Sequence, residues 1–89
     1  MDIGSSYEVL DGTEKIDDYA LSYTNLTSIT LPSTVRILGE SSLAGNRLLT
    51  SINLPDGLTT IENTAFEGCT KLSHIVIPDS LQVANGFHD

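Results

Sequence analysis

The side chains of this 89-residue sequence that could take part in chemistry are mostly carboxylates, with one cysteine and two histidines. Residues 11–18, Asp-Gly-Thr-Glu-Lys-Ile-Asp-Asp, have the carboxylate density of a calcium-binding loop. They lack the alternating ligands and the distal glutamate of an EF-hand loop, so we interpret them as a polar hairpin turn. Cys69, His74 and His88 are too far apart in sequence to have the spacing of metal ligands. The sequence therefore predicts neither a metal site nor a cofactor.

The sequence contains no set of residues typical of an active site. It has no glycine-rich phosphate loop, no Ser/His/Asp arrangement and no pair of convergent acids. We therefore predict that the protein is not an enzyme. Cys69 occupies an apolar position of the repeat described below, and we interpret it as a small buried hydrophobe. Because it is the single cysteine, an internal disulfide is excluded, which is consistent with a reducing compartment.

The charge balance is acidic, with twelve Asp and Glu against four Lys and Arg and a net charge of −8. This balance argues against binding to nucleic acid or to membranes, whose phosphates require a basic surface. It is compatible with a protein partner that has a basic surface. The acidic residues concentrate in the first 18 positions, and we interpret them either as a solvated cap or as a docking patch. The predicted acidic patch comprises Glu8, Asp11, Glu14, Asp17 and Asp18.

A 23-residue repeat determines where these side chains are placed. Leu-Thr-Ser-Ile-Thr-Leu-Pro at residues 26–32 recurs as Leu-Thr-Ser-Ile-Asn-Leu-Pro at 49–55 and as Leu-Ser-His-Ile-Val-Ile-Pro at 72–78. A fixed period of this length predicts a solenoid of stacked units. The apolar fourth and sixth positions of each copy are typical of a short strand with one buried face. The proline that follows ends the strand because it has no N–H to donate to the sheet.

The remainder of each repeat predicts two further elements. Residues 59–61, Thr-Thr-Ile, have the β-branched bias of a second short strand. Residues 40–44 and 63–67 are each predicted to form a single helical turn. Gly45 and Gly68 then close these turns, at the position where a helix end often requires a positive φ. We therefore expect an α+β repeat fold with parallel short strands and helical turns between them.

The repeat organises the chain as one domain of four segments. Residues 1–25 are a degenerate, acidic N-terminal capping repeat, whose apolar spacing from Ile16 to Leu26 is one residue shorter than the matching spacing from Ile61 to Leu72. The full repeats are residues 26–48 and 49–71. Residues 72–89 begin another repeat but do not complete it. Because an incomplete repeat leaves a strand edge unpaired, we predict either homodimerisation or docking of a partner through residues 72–83 at the C-terminal edge.

The pattern Leu-x-x-Ile-x-Leu-Pro, then Ile, then Ala-Phe-x-Gly-Cys-x-x-Leu at residues 49–72 resembles the BspA-like subfamily of bacterial and protist leucine-rich repeats. The copy at residues 26–48 departs from that pattern at Leu38, Leu43 and Asn46, where the family prefers Ile, Phe and Cys. The resemblance implies a short leucine-rich-repeat solenoid, a right-handed curved stack with a parallel sheet along one side.

The resemblance extends over about residues 16–83, and it implies a function as well as a fold. Family members are often surface proteins implicated in adhesion. Solenoids use the outward face of their strands for recognition, so we predict a non-enzymatic protein–protein interaction module. The predicted partner-binding residues are Ser28, Thr30, Ser51, Asn53, His74 and Val76.

Two more specific hypotheses stay open, together with a purely structural capping fragment. The first is a fragment of a bacterial surface adhesin, which would be extracellular or at the cell surface. The second is a small acidic intracellular inhibitor, for example a phage anti-CRISPR protein, that blocks a basic nucleic-acid-binding surface. The N-terminal residues lack the basic and apolar regions of a signal peptide, so the chain as it stands is expected to be cytoplasmic. No apolar stretch approaches the roughly 18 residues of a membrane-spanning helix.

Overall fold

Seven short strands form the regular secondary structure of the residues that the computed structural model describes, which are 6–73 and 75–84. We call one complete turn of the solenoid a coil. Each of the first three coils contributes one strand to each of two parallel sheets. The prediction of a solenoid with parallel short strands is therefore confirmed. The strands are β1 (Ser6–Glu8), β2 (Lys15–Ile16), β3 (Ser28–Thr30), β4 (Ile37–Leu38), β5 (Ser51–Ile52), β6 (Thr60–Ile61) and β7 (Val83–Ala84).

Neighbouring strands in both sheets come from successive coils. The first sheet has the order β1-β3-β5, and the second has the order β2-β4-β6-β7. Ser6 pairs with Ser28, and Ser28 pairs with Ser51, so the first coil is one residue shorter than the second. In the described part of the chain the first sheet ends at β5, whereas the second sheet continues to β7.

The third side of each coil is a series of turns, and the predicted helical turns are wrong. Ser41 and Thr64, which lie inside the predicted turns, have φ angles of 53° and 57°. Gly45 and Gly68, which follow the turns, have the predicted positive φ, at 76° and 80°. A right-handed helix cannot contain residues in the left-handed region. Residues 6–73 and 75–84 contain no helix, so the α+β class is not supported either.

Hydrogen bonds between coils explain this turn conformation. The N–H of Leu43 donates to the carbonyl of Ala65 in the next coil, at 3.0 Å. The N–H of Ser42 instead donates within its own coil, to the carbonyl of Gly39 at 3.1 Å. Every second backbone N–H of the turn therefore donates to the next coil, whereas in a helix each N–H donates to a carbonyl of the same segment. The same cross-coil bonds join Tyr19, Leu21 and Tyr23 to the carbonyls of Glu40, Ser42 and Ala44.

The interior contains the apolar columns that the repeat predicts. Leu43 and Phe66, which the sequence places in one column, are both buried in the core, and Leu21 of the first coil packs against it. Because each coil covers the apolar side chains of the coil before it, burial is deepest in the middle of the stack. The largest fully buried apolar side chains are Ile29, Val35, Leu38, Leu43, Leu49, Leu58 and Ile61.

The described part of the last repeat departs from the pattern of the others. Ile77 has the repeat position of Leu31, yet its side chain is 48 % exposed where that of Leu31 is 2 % exposed. Residues 75–78 form no strand, and no later coil within the described ranges covers them. In the same part of the chain, no helix has the length and the hydropathy needed to cross a membrane.

Candidate functional site

The outward side chains of the first sheet form two columns. Ser28 and Ser51 are paired in register, and Thr30 and Asn53 occupy the equivalent positions two residues later. Thr30, Ser51 and Asn53 are exposed, and Ser28 is half-buried. Together with the isoleucines between them, these four residues line one open depression. The structure thus brings four of the predicted partner-binding residues onto one surface, which we call the sheet face.

The two other predicted partner-binding residues do not extend this surface as a strand. His74 lies outside the described residues. Val76 is 83 % exposed, in a stretch that follows β6 along the chain and forms no strand. At the opposite end, Ser6 and Glu8 of β1 continue the two columns in register, so the sheet face has one carboxylate at this corner.

The side chain of Asn53 already has partners within the protein. Its Nδ2 donates to the carbonyl of Leu31 at 2.9 Å, and its Oδ1 accepts a hydrogen bond from the N–H of Leu31 at 2.8 Å. One coil earlier, the N–H of Val9 donates instead to the backbone carbonyl of Thr30, at 2.9 Å. The Asn53 amide therefore replaces a backbone peptide group and extends the β3–β5 pairing by one residue. This role depends on a contact between coils, so the sequence spacing does not reveal it.

The residues of the predicted acidic patch follow the perimeter of the first coil. Glu8 lies on the first sheet, Asp11 in the turn after it, and Asp17 and Asp18 after β2 of the second sheet. All are exposed, as is Glu14. The structure therefore distributes these carboxylates over several sides of the coil and does not gather them into one cluster.

Two exposed tyrosines on the third side of the first coil are absent from the sequence-based predictions. The side chains of Tyr19 and Tyr23 are 59 % and 78 % exposed. A Cβ added to Gly45 would lie 2.4 Å from two ring carbons of Tyr23, which means that the ring covers this glycine. The signal available in the sequence is positional: the repeat aligns the tyrosines with Ser41 and Gly45 of the next coil.

The most completely bonded polar side chain in the core is that of Asn46, which is fully buried. Its Nδ2 donates to the carbonyls of Leu21 at 2.9 Å and of Leu43 at 2.7 Å. Its Oδ1 accepts hydrogen bonds from the N–H of Thr24 at 3.0 Å and from the Thr24 hydroxyl. Asn46 takes the position at which the resemblance implies cysteine, and the amide ties the first coil to the second.

Cys69 occupies the equivalent position one coil later and is half-buried. Its Sγ–H donates to the carbonyl of Leu43 at 3.1 Å. Burial raises the pKa of the Cys69 thiol above its usual value, because the thiolate is poorly solvated there. A raised pKa disfavours the reactive thiolate, so the site is suited to packing rather than to nucleophilic chemistry. Across the described residues, no group of three His, Cys, Asp or Glu side chains could hold a metal ion.

Comparison with known proteins agrees with this architecture. The family model of the BspA type leucine rich repeat region matches residues 5–87 in six copies. The chain is also similar to a solved leucine rich repeat protein from T. pallidum, with 34 % identity and a TM-score of 0.84. A leucine rich cell surface protein from Faecalibacterium prausnitzii is similar at 29 % identity, with a TM-score of 0.59. No curated protein matches the chain.

Both solved proteins are much longer than this chain. The T. pallidum match covers 90 % of this chain and 41 % of that protein, and the F. prausnitzii match covers 86 % and 27 %. The similarity therefore concerns one section of each of these proteins.

Proposed function

Because the chain belongs to the BspA type leucine-rich repeat family, we propose that it serves as a non-enzymatic protein–protein interaction module. The observation that carries this proposal is the sheet face, with its two columns of small polar side chains on parallel strands. Short side chains allow the surface of a partner to approach the sheet closely. The rigid coil below them limits the conformational entropy that is lost on binding.

The Asn53 contacts limit which polar groups of the sheet face are available to a partner. The Asn53 amide uses one donor and one acceptor on Leu31, which leaves one N–H and one carbonyl lone pair for a partner. Thr30 and Ser51 are both exposed. We therefore assign Thr30 and Ser51 the main contacts with the partner, with Ser28 and Asn53 beside them.

A surface adhesin is the more specific function that we favour. The F. prausnitzii protein to which the chain is similar is described as a cell surface protein, which supports an extracellular location. The intracellular inhibitor, including an anti-CRISPR protein, has no support from the family model or the solved structures. It rests on features of the sequence such as the net charge of −8, and so we do not favour it.

The test is a capture experiment followed by affinity measurements. The tagged chain is exposed to proteins extracted from host extracellular matrix and bacterial envelopes, at low and at high salt. Captured proteins are identified by mass spectrometry, and the Kd of each purified candidate is measured. A double variant, Thr30→Arg with Ser51→Arg, should raise the Kd at least about tenfold, because the longer charged side chains prevent close contact.

Two exposed residues away from the sheet face provide the matched control. Ser33→Arg with Thr70→Arg adds the same charge, and we expect it to change the Kd less than about twofold. Equal effects of the two double variants, or no effect of either, would contradict the assignment of binding to the sheet face. Salt-sensitive capture of a nucleic-acid enzyme would instead restore the inhibitor hypothesis.

A further inference from the structure

The turn segments of the first three coils form a second surface, distinct from the sheet face. They comprise residues 17–23, 39–45 and 62–68, and hydrogen bonds between coils join each segment to the next. We call this surface the tyrosine face, because the exposed side chains of Tyr19 and Tyr23 lie on it. None of the three segments contains a lysine or an arginine. Their carboxylates are those of Asp17, Asp18, Glu40, Glu62 and Glu67.

The ring of Tyr23 is exposed but supported. The ring covers Gly45, and the backbone N–H of Tyr23 donates to the carbonyl of Ala44 at 2.8 Å. The backbone of Tyr19 is bonded in the same way to Glu40, at 3.0 Å. A ring that is anchored before binding loses little conformational entropy when a partner covers it. Tyr23 therefore has the exposure and the support of an interface anchor, a role in which tyrosine is enriched, and Tyr19 adds a second exposed ring to the same face.

Carboxylate residues adjoin each tyrosine. The Oδ1 of Asp18 accepts a hydrogen bond from the N–H of Glu40 at 2.9 Å, and Tyr19 bonds the carbonyl of Glu40. Near Tyr23, the N–H of Gly45 donates to the carbonyl of Glu67 at 2.7 Å. Asp18, Glu40 and Glu67 are all exposed. This surface therefore combines exposed aromatic rings with exposed acidic residues.

We propose that the tyrosine face binds a lysine- or arginine-rich segment of a protein partner. Cationic side chains are attracted to the faces of tyrosine rings, and Arg and Lys are the side chains that use this contact. The surrounding carboxylates complement the remaining positive charge and repel nucleic acid and anionic lipid. This inference is independent of the sheet face, because the two surfaces share no residue.

The experiment uses a defined cationic probe, acetyl-(Lys-Arg-Gly)₃-amide, and the whole ¹⁵N-labelled chain. Amide shifts locate the probe, and its Kd is measured by titration at low salt. We expect shifts in residues 17–24, 39–45 and 67–68, and smaller shifts on the sheet face. A neutral analogue with acetyl-lysine and citrulline should not bind. Tyr19→Ala with Tyr23→Ala should raise the Kd about fivefold, the size expected for two exposed cation–π contacts.

Two controls separate recognition from general attraction between opposite charges. Tyr19→Phe with Tyr23→Phe keeps both rings and should keep the Kd within about twofold, and it remains informative if the alanine variant unfolds. Glu40→Gln on the tyrosine face should weaken binding more than Glu8→Gln on the sheet face, although both remove one exposed carboxylate. Equal effects of the two Gln variants, shifts centred on the sheet face, or a folded alanine variant with native Kd would each overturn the proposal. None of these outcomes would contradict the interaction-module proposal.

Discussion

Replacing Asn46 with aspartate tests how the buried amide joins the first two coils. The change keeps the shape of the side chain but removes both N–H donors. The carbonyls of Leu21 and Leu43, which accept hydrogen bonds from Asn46 at 2.9 and 2.7 Å, would then face a carboxylate oxygen. Each buried polar group left without a partner costs about 1–3 kcal/mol, and an unpaired buried charge adds to this.

The expected loss in the free energy of unfolding is about 3–5 kcal/mol at pH 7 for Asn46→Asp. Domains of this size are typically stable by about 5–10 kcal/mol, so the variant should be close to unfolding. Asn46→Cys should cost less, about 1–2 kcal/mol, because a thiol can donate to one carbonyl as Cys69 does to Leu43. The family pattern has cysteine at this position, which makes this variant the matched control.

The pH dependence provides a second measurement with a defined sign. In the folded protein the introduced carboxyl is buried among carbonyls, so its pKa is raised above the unfolded value of about 3.9. The folded state then holds the proton more tightly, and stability falls as pH rises from the unfolded pKa through the raised folded pKa. The variant should therefore recover stability on acidification relative to the native chain.

Urea unfolding followed by circular dichroism, at several pH values, measures these differences directly. Native and variant chains are compared at the same pH, so that titration of the common carboxylates cancels. A free energy of unfolding for Asn46→Asp within about 0.5 kcal/mol of the native value at pH 7 would contradict the role of the Asn46 amide in joining the first two coils. A loss that does not change with pH would show that the carboxyl is solvated and that the amide network is not buried in solution.

Three further predictions concern packing and edges. Ser42 is fully buried, and its hydroxyl has no hydrogen-bond partner among the described residues, so Ser42→Ala should raise the free energy of unfolding by about 1 kcal/mol, measurable by thermal melting. Gly39→Ala should lower the free energy of unfolding by about 1–3 kcal/mol, because a Cβ there would lie 2.7 Å from the Ile16 carbonyl oxygen and 2.8 Å from the Asp18 backbone nitrogen. A variant that melts at the same temperature as the native chain would contradict this. At the C-terminal edge, Val83 is 40 % exposed on β7, so we predict that the protein self-associates at high concentration and that Val83→Lys prevents this. Sedimentation equilibrium that shows only monomer would exclude the self-association.

Much of the fold follows from the repeat because the information is periodic. Apolar side chains at fixed intervals can be buried together only if the coils stack in register, and Ile29 and Ile52 are indeed paired between β3 and β5. The shorter first coil is visible from its apolar spacing alone. The glycines that close the turns were also placed correctly, since Gly45 and Gly68 both adopt positive φ.

Local preference was a poor guide to the third side of the coil. Residues 40–44 have a sequence compatible with one helical turn, but the positive φ of Ser41 breaks the helix. The reason is non-local: alternate N–H groups bond the carbonyls of the next coil, as that of Leu43 does to Ala65. The energy of this cross-coil bonding outweighs the preference of a short segment, since an isolated helical turn is only weakly stable.

For the candidate surfaces, the two columns of the sheet face follow from the sequence alone, whereas the contacts of each side chain depend on how the coils stack. Alternation in the opening strand was enough to place Ser28, Thr30 and Ser51 outward, because side chains of a strand alternate between its two faces. The pairing of the Asn53 amide with Leu31 and the position of Tyr23 over Gly45 depend on which coil lies next to which, and at what distance. Such contacts join residues about one repeat apart, and only the stacked coils bring them together.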